Sequence, residues 1–296
     1  MATLKPTKTG FASIPQKLRL ILDSIRFEHT IFALPFAYMG MVLAADGWPG
    51  WSTFIWITVA LSGVRTLGMS ANRLVHAKED ALNPRTMNRH IPRGLLKSGE
   101  VLGMMLVSTG VFFYATSQLN GLALALAPVA AAYVVFYAYS KYFTWGCHFF
   151  LGWALAIAPT AAWIGVTGRL DPEPVLLSFA VATWAGGFDV VYGCADYDFD
   201  QNYAVYSLPK RFGIGTALRV TKVMHFCSAL ALLGVGLWLE LSFYYFIGWA
   251  IAVALLAFEN TLVQADNLSK LHSPFFKYNS VISMLLLLFT TLAVVL

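Results

Sequence analysis

Residues 175–201 read VLLSFAVATWAGGFDVVYGCADYDFDQ, a run long and apolar enough to cross a bilayer as helix that ends among four aspartates, Asp189, Asp196, Asp198 and Asp200. An ionised carboxylate beside lipid hydrocarbon costs about 2.5–3.5 kcal/mol, so such residues usually face a polar cavity and mark a functional site. Asp189, Tyr192, Asp196 and Asp200 are spaced by three, four and four residues, which places them on one face of a helix.

Outward from that stretch, the 296-residue chain is 58% hydrophobic and only 12% charged. That is more apolar surface than a soluble core of this length can hide, so the composition predicts an integral membrane protein. Nine apolar runs fit a bilayer span: residues 30–46, 51–71, 101–119, 121–140, 147–167, 175–194, 218–239, 241–262 and 279–296. An all-α membrane protein with nine transmembrane helices is expected. Links at Asn120 and Glu240 are short enough to make helical hairpins.

Basic residues gather in every second connection. Arg73, Lys78, Arg85, Arg89, Arg93 and Lys97 follow span two, Lys141 follows span four, Lys210, Arg211, Arg219 and Lys222 follow span six, and Lys270 and Lys277 follow span eight. The alternate connections carry Asp46, Asp171, Glu173 and Glu240 against Arg169 alone. By the positive-inside rule the N-terminus lies in the cytoplasm and the C-terminus outside. The net charge of +5 then sits on one face, suited to anionic lipid headgroups or a phosphorylated substrate; nothing points to nucleic acid. Cys147, Cys194 and Cys227 have no framework spacing, so neither a disulfide nor a metal cluster is expected from them. The first 25 residues lack a long apolar core, so no cleavable signal is expected. Residues 1–25 form a cytoplasmic or interfacial segment, of which 14–25 fit either an amphipathic helix or a basic tail, and 26–296 form a single transmembrane domain.

Span two ends as span six does. Arg65, Asn72, His76 and Asp80 are separated by seven, four and four residues, a polar stripe running from the membrane into a loop dense in Arg85, Arg89 and Arg93. This shared design predicts a weak internal repeat, spans one to four against five to eight, with the stripes facing across one cavity. Carboxylates and amides offer hard ligands that suit Mg²⁺, an ion that keeps waters and takes its remaining ligands from phosphate. Neighbouring Lys and Arg side chains complete a diphosphate site. Acids and bases together at a membrane edge predict a substrate with a diphosphate head and a lipid tail. For an allylic diphosphate, neutralising the leaving group permits ionisation to a carbocation inside a cavity kept from water.

The two stripes resemble the paired signatures of the UbiA superfamily of intramembrane aromatic prenyltransferases. Asp189, Tyr192, Asp196 and Asp200 match the second signature in full, and NPRT at 83–86 and SLPKRFG at 207–213 resemble the branch acting on 4-hydroxybenzoate or a dihydroxynaphthoate in ubiquinone or menaquinone biosynthesis. The resemblance implies helices around a central cavity open to the cytoplasm, set in a bacterial cytoplasmic (inner) membrane. It implies an Mg²⁺-dependent enzyme that moves a prenyl chain from polyprenyl diphosphate to a small aromatic acid. Asn72, His76, Asp80, Asp196 and Asp200 would hold the metal, Asp189, Tyr192 and Lys141 would be catalytic, and Arg65, Arg85, Arg89, Lys210 and Arg211 would bind substrate.

Three positions depart from that pattern. His76 stands where the superfamily has Asp, Tyr142 follows Lys141 where Arg is common, and Asn88-Arg89-His90-Ile91 replaces NRPL. One negative charge fewer predicts weaker Mg²⁺ binding, a pH-sensitive site or better tolerance of Mn²⁺. The competing expectation is a catalytically impaired homologue that binds or carries prenyl lipids. A cation transporter fits less well, because the acids lie at span ends and not at the midplane.

Overall fold

The computed structural model describes residues 20, 23–24, 34–265, 268 and 274–296. Its elements are α1 (Leu34–Ala45), α2 (Trp51–Val75), α3 (Ala77–Leu82), α4 (Ser98–Ser117), α5 (Gly121–Phe136) running into a 3₁₀ segment (Tyr137–Tyr142), α6 (Cys147–Thr167), α7 (Glu173–Cys194), α8 (Tyr197–Asn202), α9 (Leu208–Phe212), α10 (Ile214–Trp238), α11 (Phe243–Leu262) and α12 (Pro274–Val295). No β-strand occurs among the described residues. Among the described residues, eight helices are long and apolar enough to cross a membrane: α2, α4, α5 with its 3₁₀ extension, α6, α7, α10, α11 and α12. The chain is an integral membrane protein. Of the first expected span, the described residues give α1, 12 residues long. Residues 25–33 before it, most of the expected N-terminal segment, and the loop lysine Lys270 lie outside the described residues.

Helix α7 is the most buried of the eight and lies between α6 and α10, while α2 pairs with α4, α1 lies against α6 and α12, and α11 pairs with α12. Close approach depends on small residues, as helix contacts in lipid generally do. A Cβ on Gly152 of α6 would strike the Ala182 carbonyl and lie 3.0 Å from the Gly186 nitrogen of α7; one on Gly40 of α1 would strike the Pro159 carbonyl of α6. Hydroxyls add interhelical bonds from α10 to α7, with Thr221 Oγ1 donating to the Gly187 carbonyl at 3.1 Å and Ser228 Oγ to the Ala180 carbonyl at 2.8 Å.

The two ends of the bundle are built differently. At one, Asn120 caps α5 by accepting from the Ala123 N–H and donates Nδ2 to the Ile164 and Gly165 carbonyls at 2.7 and 3.1 Å, sealing the α4–α5 hairpin onto the end of α6. At the other, three basic connections interlock: Tyr142 Oη donates to the Val75 carbonyl at 2.9 Å, the Tyr206 N–H donates to the Lys141 carbonyl at 2.7 Å, and Arg85 pairs with Asp196. This second end carries the polar stripes.

Each stripe lies on a broken helix, where spacing alone predicts a continuous one. α2 ends at Val75 and α3 begins at Ala77, with His76 between them at φ −96°, ψ 14°; α7 ends at Cys194 and α8 begins at Tyr197, with Asp196 at φ −99°, ψ 6°. Beyond each break the i to i−4 bond resumes, Asp80 N–H to the His76 carbonyl and Asp200 N–H to the Asp196 carbonyl, each at 2.8 Å, while at the second break the Ala195 and Asp196 N–H groups bond i−3 to the Tyr192 and Gly193 carbonyls. The breaks re-aim the chain while Asp80 and Asp200 keep a helical spacing from His76 and Asp196.

Candidate functional site

Between the broken helices lies a cavity of about 1030 Å³. Its inner wall is apolar, with Phe36, Leu61, Leu155, Trp184 and Phe188 among its residues, and its mouth is polar. The structure brings Arg65, Asn72, His76, Asp80, Arg85, Arg89, Lys141, Asp189, Tyr192, Asp196 and Asp200 to this one space. It does not bring Lys210 or Arg211 to the lining. Lys210 Nζ donates to the Tyr203 and Val205 carbonyls at 2.7 and 3.0 Å, closing the loop before α9, and Arg211 is exposed.

On the α7–α8 side, Arg85 grips Asp196 with both donors, Nε to Oδ1 at 2.8 Å and a terminal nitrogen to Oδ2 at 2.5 Å. The turn Asn83-Pro84-Arg85 aims it. Asn83 Oδ1 accepts from the Arg85 N–H at 2.9 Å while its Nδ2 donates to Asp196 Oδ1 at 2.9 Å. In the sequence Asn83 stands out only as the first residue of NPRT; in the structure its carboxamide ties the two half-sites together. Burial raises the proton affinity of Asp196, but the Arg85 guanidinium, helped by Lys141 and Asn83, outweighs it and holds this carboxyl below its ordinary value. Asp200 behaves oppositely: burial outweighs the attraction of Lys141, whose Nζ is 3.9 Å away, and its carboxyl is raised.

On the α2–α3 side, Asp80 receives one terminal nitrogen of Arg89 at 2.6 and 2.7 Å from its two oxygens. His76 has no such partner. Its ring lies against that of Tyr142, centroids 5.4 Å apart at 33°, and burial, then the nearby Lys141, push its pKa down to about 4. The imidazole is therefore uncharged at neutral pH.

A further contact lies deeper. His148 at the start of α6 places Nδ1 2.6 Å from Asp189 Oδ2 on α7. Sequence reasoning gave His148 no role, because its partner is on another helix; the one available signal was a histidine at the head of an otherwise apolar span.

The donors at the mouth suit a hard divalent cation in kind. They are carboxylates and an amide, and Asp200 Oδ2 is buried with no hydrogen-bond partner. Asp80 and Asp196 are engaged by arginines, and among the described residues no three acidic, histidine or cysteine side chains converge on one point.

Residues 33–281 match the UbiA prenyltransferase family. The chain belongs to that family. Its UbiA relatives include the 4-hydroxybenzoate octaprenyltransferases of Vibrio campbellii (strain ATCC BAA-1116), 31% identical over 72% of this chain and 74% of that one, and Aliivibrio salmonicida (strain LFI1238), 30% identical over 58% of this chain. The match spans 61% of the length of the latter. The fold is that of an apo UbiA homologue from Aeropyrum pernix K1, with TM-score 0.81 and 25% identity over 88% of this chain and 95% of that one. A UbiA homologue from Archaeoglobus fulgidus bound to DMAPP and Mg²⁺ superposes with TM-score 0.71 at 16% identity, over 93% of this chain and 99% of that one.

Proposed function

We propose that this UbiA-family protein transfers a polyprenyl chain from its diphosphate to a small aromatic acid, 4-hydroxybenzoate or a dihydroxynaphthoate. One observation carries the reading: a single cavity joins an acidic and basic mouth, drawn from two separate connections, to an apolar chamber. A diphosphate head and a prenyl tail need those two environments side by side. The names of the curated relatives support the aromatic acceptor, and the Archaeoglobus fulgidus homologue bound to DMAPP and Mg²⁺ supports a prenyl diphosphate and a divalent metal.

Asn72, Asp80, Asp196 and Asp200 would hold Mg²⁺ together with substrate phosphate, with His76 beside them. Bound there, the metal supplies charge neutralisation for the departing diphosphate. Arg85 and Arg89, whose side chains are 33% and 27% exposed, present cations at the mouth where diphosphate oxygens arrive, and Lys141 and Arg65 add charge behind them. The allylic C–O bond breaks with its electron pair leaving on the diphosphate. The apolar wall excludes water from the resulting cation. A ring π pair of the acceptor forms the new C–C bond, and the displaced ring proton passes to Asp189, with Tyr192 lining the same wall. The basic connections support reading this mouth and the N-terminus as cytoplasmic and the C-terminus as outside, in a bacterial inner membrane. Residues 26–296 act as one domain, and the matching breaks at His76 and Asp196 support reading spans one to four and five to eight as a repeat.

The test is direct. Purified protein in detergent is given Mg²⁺, a set of prenyl diphosphates and both acceptor classes, and the products are analysed by mass spectrometry. A mono-prenylated acid is expected. Tight binding of prenyl diphosphate with neither diphosphate release nor product would favour the impaired, lipid-carrying reading.

A further inference from the structure

Among the aspartates that line the cavity from the two polar stripes, three are held by cations: Asp80 by Arg89, Asp196 by Arg85 and Asp200 by Lys141. Asp189 differs. Its hydrogen bond is to the imidazole of His148, and the pair is one-sided: the histidine side chain is 1% exposed and the aspartate side chain 27%. The carboxylate thus reaches the cavity while the ring behind it is sealed away.

The seal is specific in shape. A Cβ on Gly193 would lie 2.7 Å from His148 Cε1 and 3.2 Å from Nε2, and one on Gly186 would lie 3.2 Å from the His148 carbonyl, so glycines of α7 make room for this residue. Nε2 has no hydrogen-bond partner, although the ring is buried. A buried polar atom without a partner costs on the order of 1–3 kcal/mol. The imidazole's polar contact is therefore made to Asp189, and a carboxylate oxygen accepts, so Nδ1 carries the hydrogen that it donates.

We infer that His148 is a positioning residue for proton removal: its Nδ1–H holds the Asp189 carboxylate with one oxygen facing the cavity, ready to take the ring proton of the acceptor. The role rests on the prenyl-transfer reading above. When the new C–C bond has formed, the ring C–H electron pair returns to the ring and the proton goes to the Asp189 oxygen that His148 does not hold. A hydrogen-bond donor from a buried ring fixes the rotamer of the carboxylate, as residues behind a catalytic group often do.

Three variants separate positioning from packing. In His148→Asn the amide Nδ2 replaces the Nδ1 donor; in His148→Leu bulk is kept and the donor lost; His148→Ala is read in parallel in case Leu does not fit. Each is assayed with Mg²⁺, prenyl diphosphate and either ordinary or ring-deuterated 4-hydroxybenzoate, alongside acceptor-independent diphosphate release. Losing the donor is expected to lower kcat about 10- to 100-fold, with KM for prenyl diphosphate and diphosphate release unchanged, and to unmask a primary isotope effect. His148→Asn is expected to recover most of the rate. Wild-type rates in His148→Leu or His148→Ala, or a loss without an isotope effect that Asn fails to rescue, overturn the assignment. A wild-type protein that releases no diphosphate and forms no product overturns the prenyl-transfer reading itself, and this role with it.

Discussion

The breaks at His76 and Asp196 share a backbone and differ in chemistry. Both residues leave the helix at nearly the same φ and ψ, both precede a six-residue helix, and both are followed four residues later by an aspartate. Yet Asp196 is an anion clamped by Arg85 and Asn83 from the opposite half, whereas His76 is an uncharged ring resting on Tyr142. The shape of a half-site therefore does not depend on the acid at its corner. The two departures that the sequence displays separately, His76 for Asp and Tyr142 for Arg, also meet in one contact. Where the resemblance implies an acid and a base, this chain has two aromatic rings in contact.

If the clamped half-site carries the diphosphate chemistry, Asp196→Ala should lower kcat by about 100- to 1000-fold while the protein keeps its detergent-solubilised melting temperature to within a few degrees. Rates of prenyl transfer set beside melting curves check this, and comparable loss in both would blur the comparison. A smaller effect concerns the aromatic corner. Burial holds His76 near pKa 4 against an ordinary 6.5, so between these values the unfolded chain binds the proton more readily. The contribution of the neutral ring to stability is complete above pH 6.5 and fades as pH falls toward 4. His76→Leu should shrink the fall in melting temperature across that window by about 2–4 °C. The smallest effect is expected at Lys210, whose ammonium is taken by loop carbonyls: Lys210→Met should change KM for prenyl diphosphate less than about twofold, as expected of a group outside the substrate contacts.

Much of this was legible because bilayers impose simple rules. Apolar run length predicts nine spans, of which eight are long apolar helices among the described residues, and the spacing of Asp189, Tyr192, Asp196 and Asp200 is that of residues that line one cavity. The breaks were not legible, since the bonds from Asp80 to His76 and from Asp200 to Asp196 preserve the four-residue spacing while ψ changes. Periodicity records spacing and not direction. The roles of His148 and Asn83 are not legible because each partner lies on another element, far away in sequence. Lys210 misled for the converse reason: charge in a loop is visible in sequence, but the carbonyls that bind it are not.

The central claim is that two half-sites of one shape carry unequal weight in one catalysed transfer. Initial rates of prenyl transfer for wild type, His76→Asp and Asp196→His, measured side by side over a range of Mg²⁺ concentrations, test it most directly. His76→Asp is expected to match or exceed wild type and to need less Mg²⁺, whereas Asp196→His loses at least about 100-fold. Equal losses in both variants, or a loss confined to His76→Asp, would contradict it.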